Sequence, residues 1–123
     1  MKILILEDDP ERTKTFRRKL IGNIVVFTTT VQSCITALTS EDFDCLMLDH
    51  DLGGQVYQTP GDETGYGVVK WLVKHQDRCP RQIYVHSLNG PAADAMIKLF
   101  ADYGIITQYI PFLWNRLGEP NAS

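Results

Sequence analysis

Five short apolar runs constrain this chain more than any other feature: Ile3 to Leu6, Ile24 to Phe27, Cys45 to Leu48, Ile83 to Val85 and Ile105 to Ile110. Most are continuous rather than alternating, which suits parallel strands covered on both faces; a strand with one wet face alternates apolar and polar residues. Helical patterns fill the gaps. Pro10 to Ile21 opens with Asp9 as a candidate N-cap and proline at the first helical position, where its missing N–H costs nothing. Val31, Ile35 and Leu38 share one face of a second helix, Val68, Val69, Leu72 and Val73 one face of a third, and Ala93, Met96, Ile97 and Phe100 one face of a fourth.

Strand and helix alternating in this way lead to a three-layer α/β fold, a doubly wound five-stranded parallel sheet in the order 2-1-3-4-5, because crossovers are short and right-handed. The 123 residues make one domain, 1–123, with no room for a second. The segment PFLWNRLGEPNAS is broken by Pro111, Gly118 and Pro120, so the fifth helix is expected to be short or missing. Phe112, Leu113 and Trp114 then either fold back over the sheet face left open or offer it to a second copy of the chain, as a homodimer, or to another protein.

Charge and cysteine usage exclude some classes. The net charge of −3 comes from both signs spread along the chain, with no basic run longer than the three residues Arg17 to Lys19, which argues against duplex DNA as a partner. Cys34, Cys45 and Cys79 form no C-x-x-C pair and read as reduced thiols of a cytoplasmic protein. The opening MKILILEDD carries an apolar run too short for a signal peptide or membrane span.

In an open α/β sheet ligands bind beyond the carboxyl ends of the strands, so the residues there are the candidates for chemistry. Glu7, Asp8 and Asp9 follow strand one; Asp49, His50 and Asp51 follow strand three; His86, Ser87, Leu88 and Asn89 follow strand four, just before Gly90 and Pro91 open a helix whose N–H groups can hold a phosphate. Strands one and three are neighbours, so Asp8 or Asp9 would meet Asp49, and carboxylates that close repel unless protonated or bridged by a cation. Aspartates, a backbone carbonyl and water make an all-oxygen set, which suits Mg2+ or Mn2+ better than zinc. Singly, these residues have plain roles: acids before Pro10 can cap a helix, and Asp49 and Asp51 can be turn residues. Their convergence on three adjacent strand ends is what points to a site. Counting residues along the strands puts His50 and His86 on one sheet face, where one could take a proton from water and the other give one to a departing oxygen. The glycine-rich loop from Gly53 to Glu63, with Tyr57 and Pro60, is long enough to close over such a site.

The order of these elements, with paired acids after strand one and Asp49 five residues after Asp44, resembles the receiver domain of two-component response regulators across nearly the whole chain. The resemblance implies that Asp8 and Asp9 bind metal, that Asp49 is phosphorylated, that the Asp51 carbonyl is a metal ligand and that the Ser87 hydroxyl contacts the phosphoryl group. Receivers carry a lysine before a proline after strand five, where this chain reads Thr107, Gln108, Tyr109, Ile110, Pro111. LDHDLGG from Leu48 to Gly54, Thr64 with Gly65, Trp71 with Leu72, and VHSLN from Val85 to Asn89 look like one branch, the cyclic-phosphate-processing receiver family.

That branch implies metal-dependent hydrolysis of a cyclic phosphate ester, with Asp49, His50 and His86 catalytic and Ser87, Asn89 and Glu63 on the substrate. Glu63 has a second role open to it, since an acid at a helix start stabilises the helix dipole by up to about 1 kcal/mol. Three functions follow: an enzyme acting on a cyclic nucleotide or an RNA 2′,3′-cyclic phosphate end, a signalling domain phosphorylated on Asp49, or a module that binds a phosphorylated small molecule without turnover.

Overall fold

The computed structural model describes residues 1–53 and 61–110. Its order is β1 (Lys2–Leu6), α1 (Pro10–Lys19), β2 (Ile24–Thr28), α2 (Val31–Ser40), β3 (Cys45–Leu48), α3 (Gly65–Lys74), a 3-10 turn (Gln76–Arg78), β4 (Gln82–Val85), α4 (Gly90–Asp102) and β5 (Gln108–Tyr109). All pairings are parallel, in the order β2-β1-β3-β4-β5 that the apolar runs predict.

The sheet has two unequal sides, set by the alternation of side chains along each strand. Leu4, Leu6, Leu46, Leu48, Ile83 and Val85 face a large core with Cys34 and Leu38 of α2, Val68, Val69 and Leu72 of α3, and Ala93, Met96 and Phe100 of α4. Ile3, Ile5, Cys45 and Met47 face the other way, onto Phe16 of α1 and Leu20, the C-cap of that helix one turn further on. Tyr84 on that side is only partly buried. Whether Phe112, Leu113 and Trp114 cover it, and whether a fifth helix forms, concerns residues 111–123, which lie outside the described residues, as do Gly54, Tyr57 and Pro60.

Local chemistry sets the helix starts. Asp9 caps α1, its side chain accepting from the Arg12 N–H; Thr30 and Ser33 form a capping box on α2; Thr64 caps α3 and Asn89 caps α4. Gly65 is required for packing, because a Cβ there would stand 1.9 Å from the Asp49 carbonyl oxygen. This close approach, with the Gly65 N–H donating to the His50 carbonyl at 2.9 Å, ties the start of α3 to the end of β3.

The fifth strand departs from expectation. Instead of Ile105 to Ile110 it holds only Gln108 and Tyr109. After α4, Gly104 turns the chain with φ +76°, and the Ile105 N–H donates back to the Phe100 carbonyl, so Ile105 serves the helix end and not the sheet. Ile106 is 89% exposed. Among the described residues no helix is long and apolar enough to cross a membrane.

Candidate functional site

The strand register builds the site. Leu6, Leu48 and Val85 are partners across β1, β3 and β4, so one residue further along lie Glu7, Asp49 and His86. The ladder continues into them: the Asp49 N–H donates to the Leu6 carbonyl at 3.1 Å and the His86 N–H to the Leu48 carbonyl at 3.0 Å. By alternation this row points to the α1 side, where Phe16 packs its ring edge-on to His86 at 5.1 Å. All three are buried, and each offers a donor atom within 4.8 Å of the other two.

Arg12, one turn before Phe16 on α1, lies over this row. Its Nε donates to Glu7 Oε1 and its Nη2 to Glu7 Oε2, both at 3.1 Å, and Nη2 also reaches Asp49 Oδ2 at 3.4 Å. His86 Nε2 donates to Glu7 Oε1 at 3.0 Å. Burial opposes ionisation of Glu7, but His86, the Asp9 N–H and Arg12 together hold its carboxyl below the usual value. Burial drives His86 towards the neutral ring, outweighing its bond to Glu7. Asp49 is the residue left under-compensated: lost hydration and the Glu7 charge push its carboxyl up to about 8 against the pull of Arg12.

A second row faces the α3 and α4 side. His50 Nδ1 donates to Asp51 Oδ1 at 2.7 Å, and the Asn89 amide donates to the same oxygen at 3.1 Å. Asn89 also caps α4 by accepting from the Ala92 N–H, while its own N–H donates to Ser87 Oγ at 3.0 Å. The helix N-terminus expected to hold phosphate is therefore partly closed by its own side chains, and Pro91 has no N–H to give. Tyr109 on β5 donates its hydroxyl to the Ser87 carbonyl at 2.8 Å.

The candidate residues divide accordingly. Asp49 and His86 come together; His50, Asp51, Ser87 and Asn89 come together on the other side. The two histidines do not share a face, because the register pairs Leu48 with Val85 and so puts Asp49 opposite His86 and His50 opposite Ser87. Counting residue parity cannot supply that offset. The acid pair also shifts by one residue: Asp9 is held by its cap on α1, while Glu7 joins Asp49. Asp8 and the exposed Glu63 line a neighbouring cleft of about 660 Å³ with Thr29, Thr30, Leu52 and Asp62. Glu63 precedes the Thr64 cap, the place where it also meets the α3 dipole.

Two residues of the row, Glu7 and Arg12, lie outside the ligand and catalytic set that the sequence suggests. Glu7 shares the parity of Ile3 and Ile5, and Arg12 falls on the Phe16 and Leu20 stripe of α1, so both signals are present in the sequence.

The donor chemistry fits a hard divalent cation: two buried carboxylates of which one is under-compensated, with a positively charged group already drawn onto them. The oxygen donors expected of such a set are supplied here by Glu7 and Asp49, with His86 beside them giving its Nε2 proton to Glu7.

No curated protein matches the chain. Solved structures with the same fold include the response regulator TrrA of Thermotoga maritima in complex with Mg2+ and BeF, at 15% identity and TM-score 0.68, covering 93% of this chain and 88% of that one. The CheY-like response regulator receiver domain protein of Methanospirillum hungatei JF-1 aligns at 19% and 0.64, covering 91% and 81%, and the non-phosphorylated HemR receiver domain of Leptospira biflexa at 19% and 0.66, covering 92% and 82%. At such identities the likeness shows the fold alone. The model of the cyclic-phosphate processing receiver domain, however, matches residues 2–102, and the chain belongs to that family.

Proposed function

We propose that the chain works as a receiver-type phosphoryl-handling domain, with Asp49 taking a phosphoryl group in the presence of a divalent cation. The observation that carries this reading is the setting of Asp49. It stands at the carboxyl end of a central strand, Oδ1 held by the His50 N–H at 2.8 Å and Oδ2 turned to Arg12. In the transfer an Asp49 oxygen attacks the phosphorus of a phosphohistidine or small acyl phosphate. The new O–P bond forms as the donor's N–P or O–P bond breaks, and water later cleaves the aspartyl phosphate. Glu7 and Asp49 would hold magnesium or manganese, whose contribution when bound is to offset the charge of the carboxylates and of the incoming phosphoryl oxygens. Before attack, Asp49 must lose the proton that burial favours.

A second reading has its own support. Glu7 with His86 and Asp51 with His50 are two carboxylate–histidine pairs, and a phosphoacceptor needs neither. Such pairs can activate water and protonate a leaving oxygen, as hydrolysis of a cyclic nucleotide or an RNA 2′,3′-cyclic phosphate end requires. The cytoplasm is the setting that goes with either reading.

One experiment separates them. The protein is incubated with Mg2+ or Mn2+ and either acetyl phosphate or a panel of cyclic mononucleotides, cyclic dinucleotides and cyclic-phosphate-ended RNA, and the masses of protein and substrate are followed. Gain of one phosphoryl group, lost in Asp49→Asn and retained in His86→Ala, is the expected result. Ring opening that both variants abolish would move the assignment to hydrolysis; unchanged masses throughout would sink both.

A further inference from the structure

We propose that Arg12 is a tethered counter-ion standing in the cation position of the ion-free protein, and that divalent cation binds by displacing it; this rests on the receiver-type reading above. The guanidinium bonds both oxygens of Glu7, reaches Asp49 Oδ2 and lies 3.7 Å from Asp9 Oδ2, so it bridges acids from the end of β1 and the end of β3. Its place is set by α1: Asp9 caps the helix three residues before it, and the fully buried Phe16 anchors the next turn against His86.

Charge and access both favour exchange. One guanidinium carries a single positive charge against two buried carboxylates, whereas a divalent cation brings two into the same space, and the two cations repel. Arginine does not deprotonate, so the position cannot be vacated by losing a proton; the side chain has to move. It has a way out, since 26% of the side chain is exposed while those of Glu7 and Asp49 are almost wholly buried. Cation affinity is then the difference between two occupants of one place, and the arginine sets the concentration at which the site fills.

The test reads binding. Titration calorimetry with MgCl2 and MnCl2 compares wild type with Arg12→Gln, and NMR follows the Arg12 Nε–H resonance of the wild-type protein through the titration with diamagnetic Mg2+. The expected result is binding at least about tenfold tighter in Arg12→Gln, since hydrogen bonds between charged groups no longer have to be broken first, together with a shift of the wild-type Nε–H resonance as the site fills. Affinity equal to or weaker than wild type, or an Nε–H resonance unmoved at saturating cation, overturns the proposal. If Arg12→Gln does not fold, the wild-type resonance decides alone. If wild type binds cation and Arg12→Gln binds no tighter, only this inference fails; if neither binds any cation, the receiver-type reading fails with it.

Discussion

The two side-chain rows at the end of the sheet contain similar residues and are held by different forces. On the α1 side, Glu7, Arg12, Asp49 and His86 form a buried charge cluster in which one arginine faces two carboxylates. On the α3 and α4 side, His50, Asp51, Ser87 and Asn89 are joined by hydrogen bonds and a helix cap, with a single carboxylate on the partly buried Asp51. The first row stores unfavourable electrostatics that a ligand can relieve; the second fixes geometry. A histidine in each row is therefore not one duplicated feature. His86 is a neutral donor to Glu7, whereas His50 is oriented by Asp51 and leaves Nε2 with no partner among the described residues.

That contrast can be broken in three ways. The largest effect belongs to Asp49. Its carboxyl is raised to about 8 in the folded protein, so between about pH 4 and 8 the folded state holds a proton that the unfolded chain has released. Asp49's contribution to stability therefore falls as pH rises through that window, on the order of several kcal/mol in total. Urea midpoints measured in EDTA from pH 5 to 8 should carry this downward trend for wild type and lose it in Asp49→Asn. Saturating Mg2+ should flatten it, because cation and proton compete for the same oxygens. The same competition makes cation binding tighten with rising pH.

A smaller effect tests how far the charge cluster holds the fold. Glu7→Ala removes the carboxylate shared by Arg12 and His86 and should cost about 3 kcal/mol, the lower end for deleting one partner of a buried pair, because Arg12 keeps Asp49 and Asp9. A loss under about 1 kcal/mol in urea unfolding would mean that the cluster adds little net stability, the relief of Asp49 offsetting the bonds lost from Arg12 and His86. The smallest lies in the other row. Asn89→Ala removes the α4 cap and a bond to Asp51, a cost of about 1 kcal/mol, with the pH trend of Asp49 left in place. A changed trend would show that the two rows are coupled.

Much of this molecule is legible in its amino-acid order. The five apolar runs and the helix stripes carry the sheet order and four of the five strands nearly to the residue, because burial on both faces writes itself into local composition. Asp9 ahead of Pro10 is a recognisable cap for the same local reason, whereas Thr64 and Asn89 emerge as caps only in the structure. β5 is shorter than its apolar run because Gly104 and the end of α4 claim Ile105 for a helix cap, a competition between two local uses of one residue.

Amino-acid order alone carries the fold, the convergence of acids and histidines on one end of it, and the family motifs at Leu48 to Gly54 and Val85 to Asn89. Which of those residues share a face is set by packing between strands. Register between strands is a long-range offset, set by how β1, β3 and β4 pack and pair, and no periodicity within a single strand contains it. That offset puts Glu7 rather than Asp9 beside Asp49, separates His50 from His86, and brings Arg12 from a different layer onto the two carboxylates. The charge balance that defines the site exists only once those three strands and α1 are packed together.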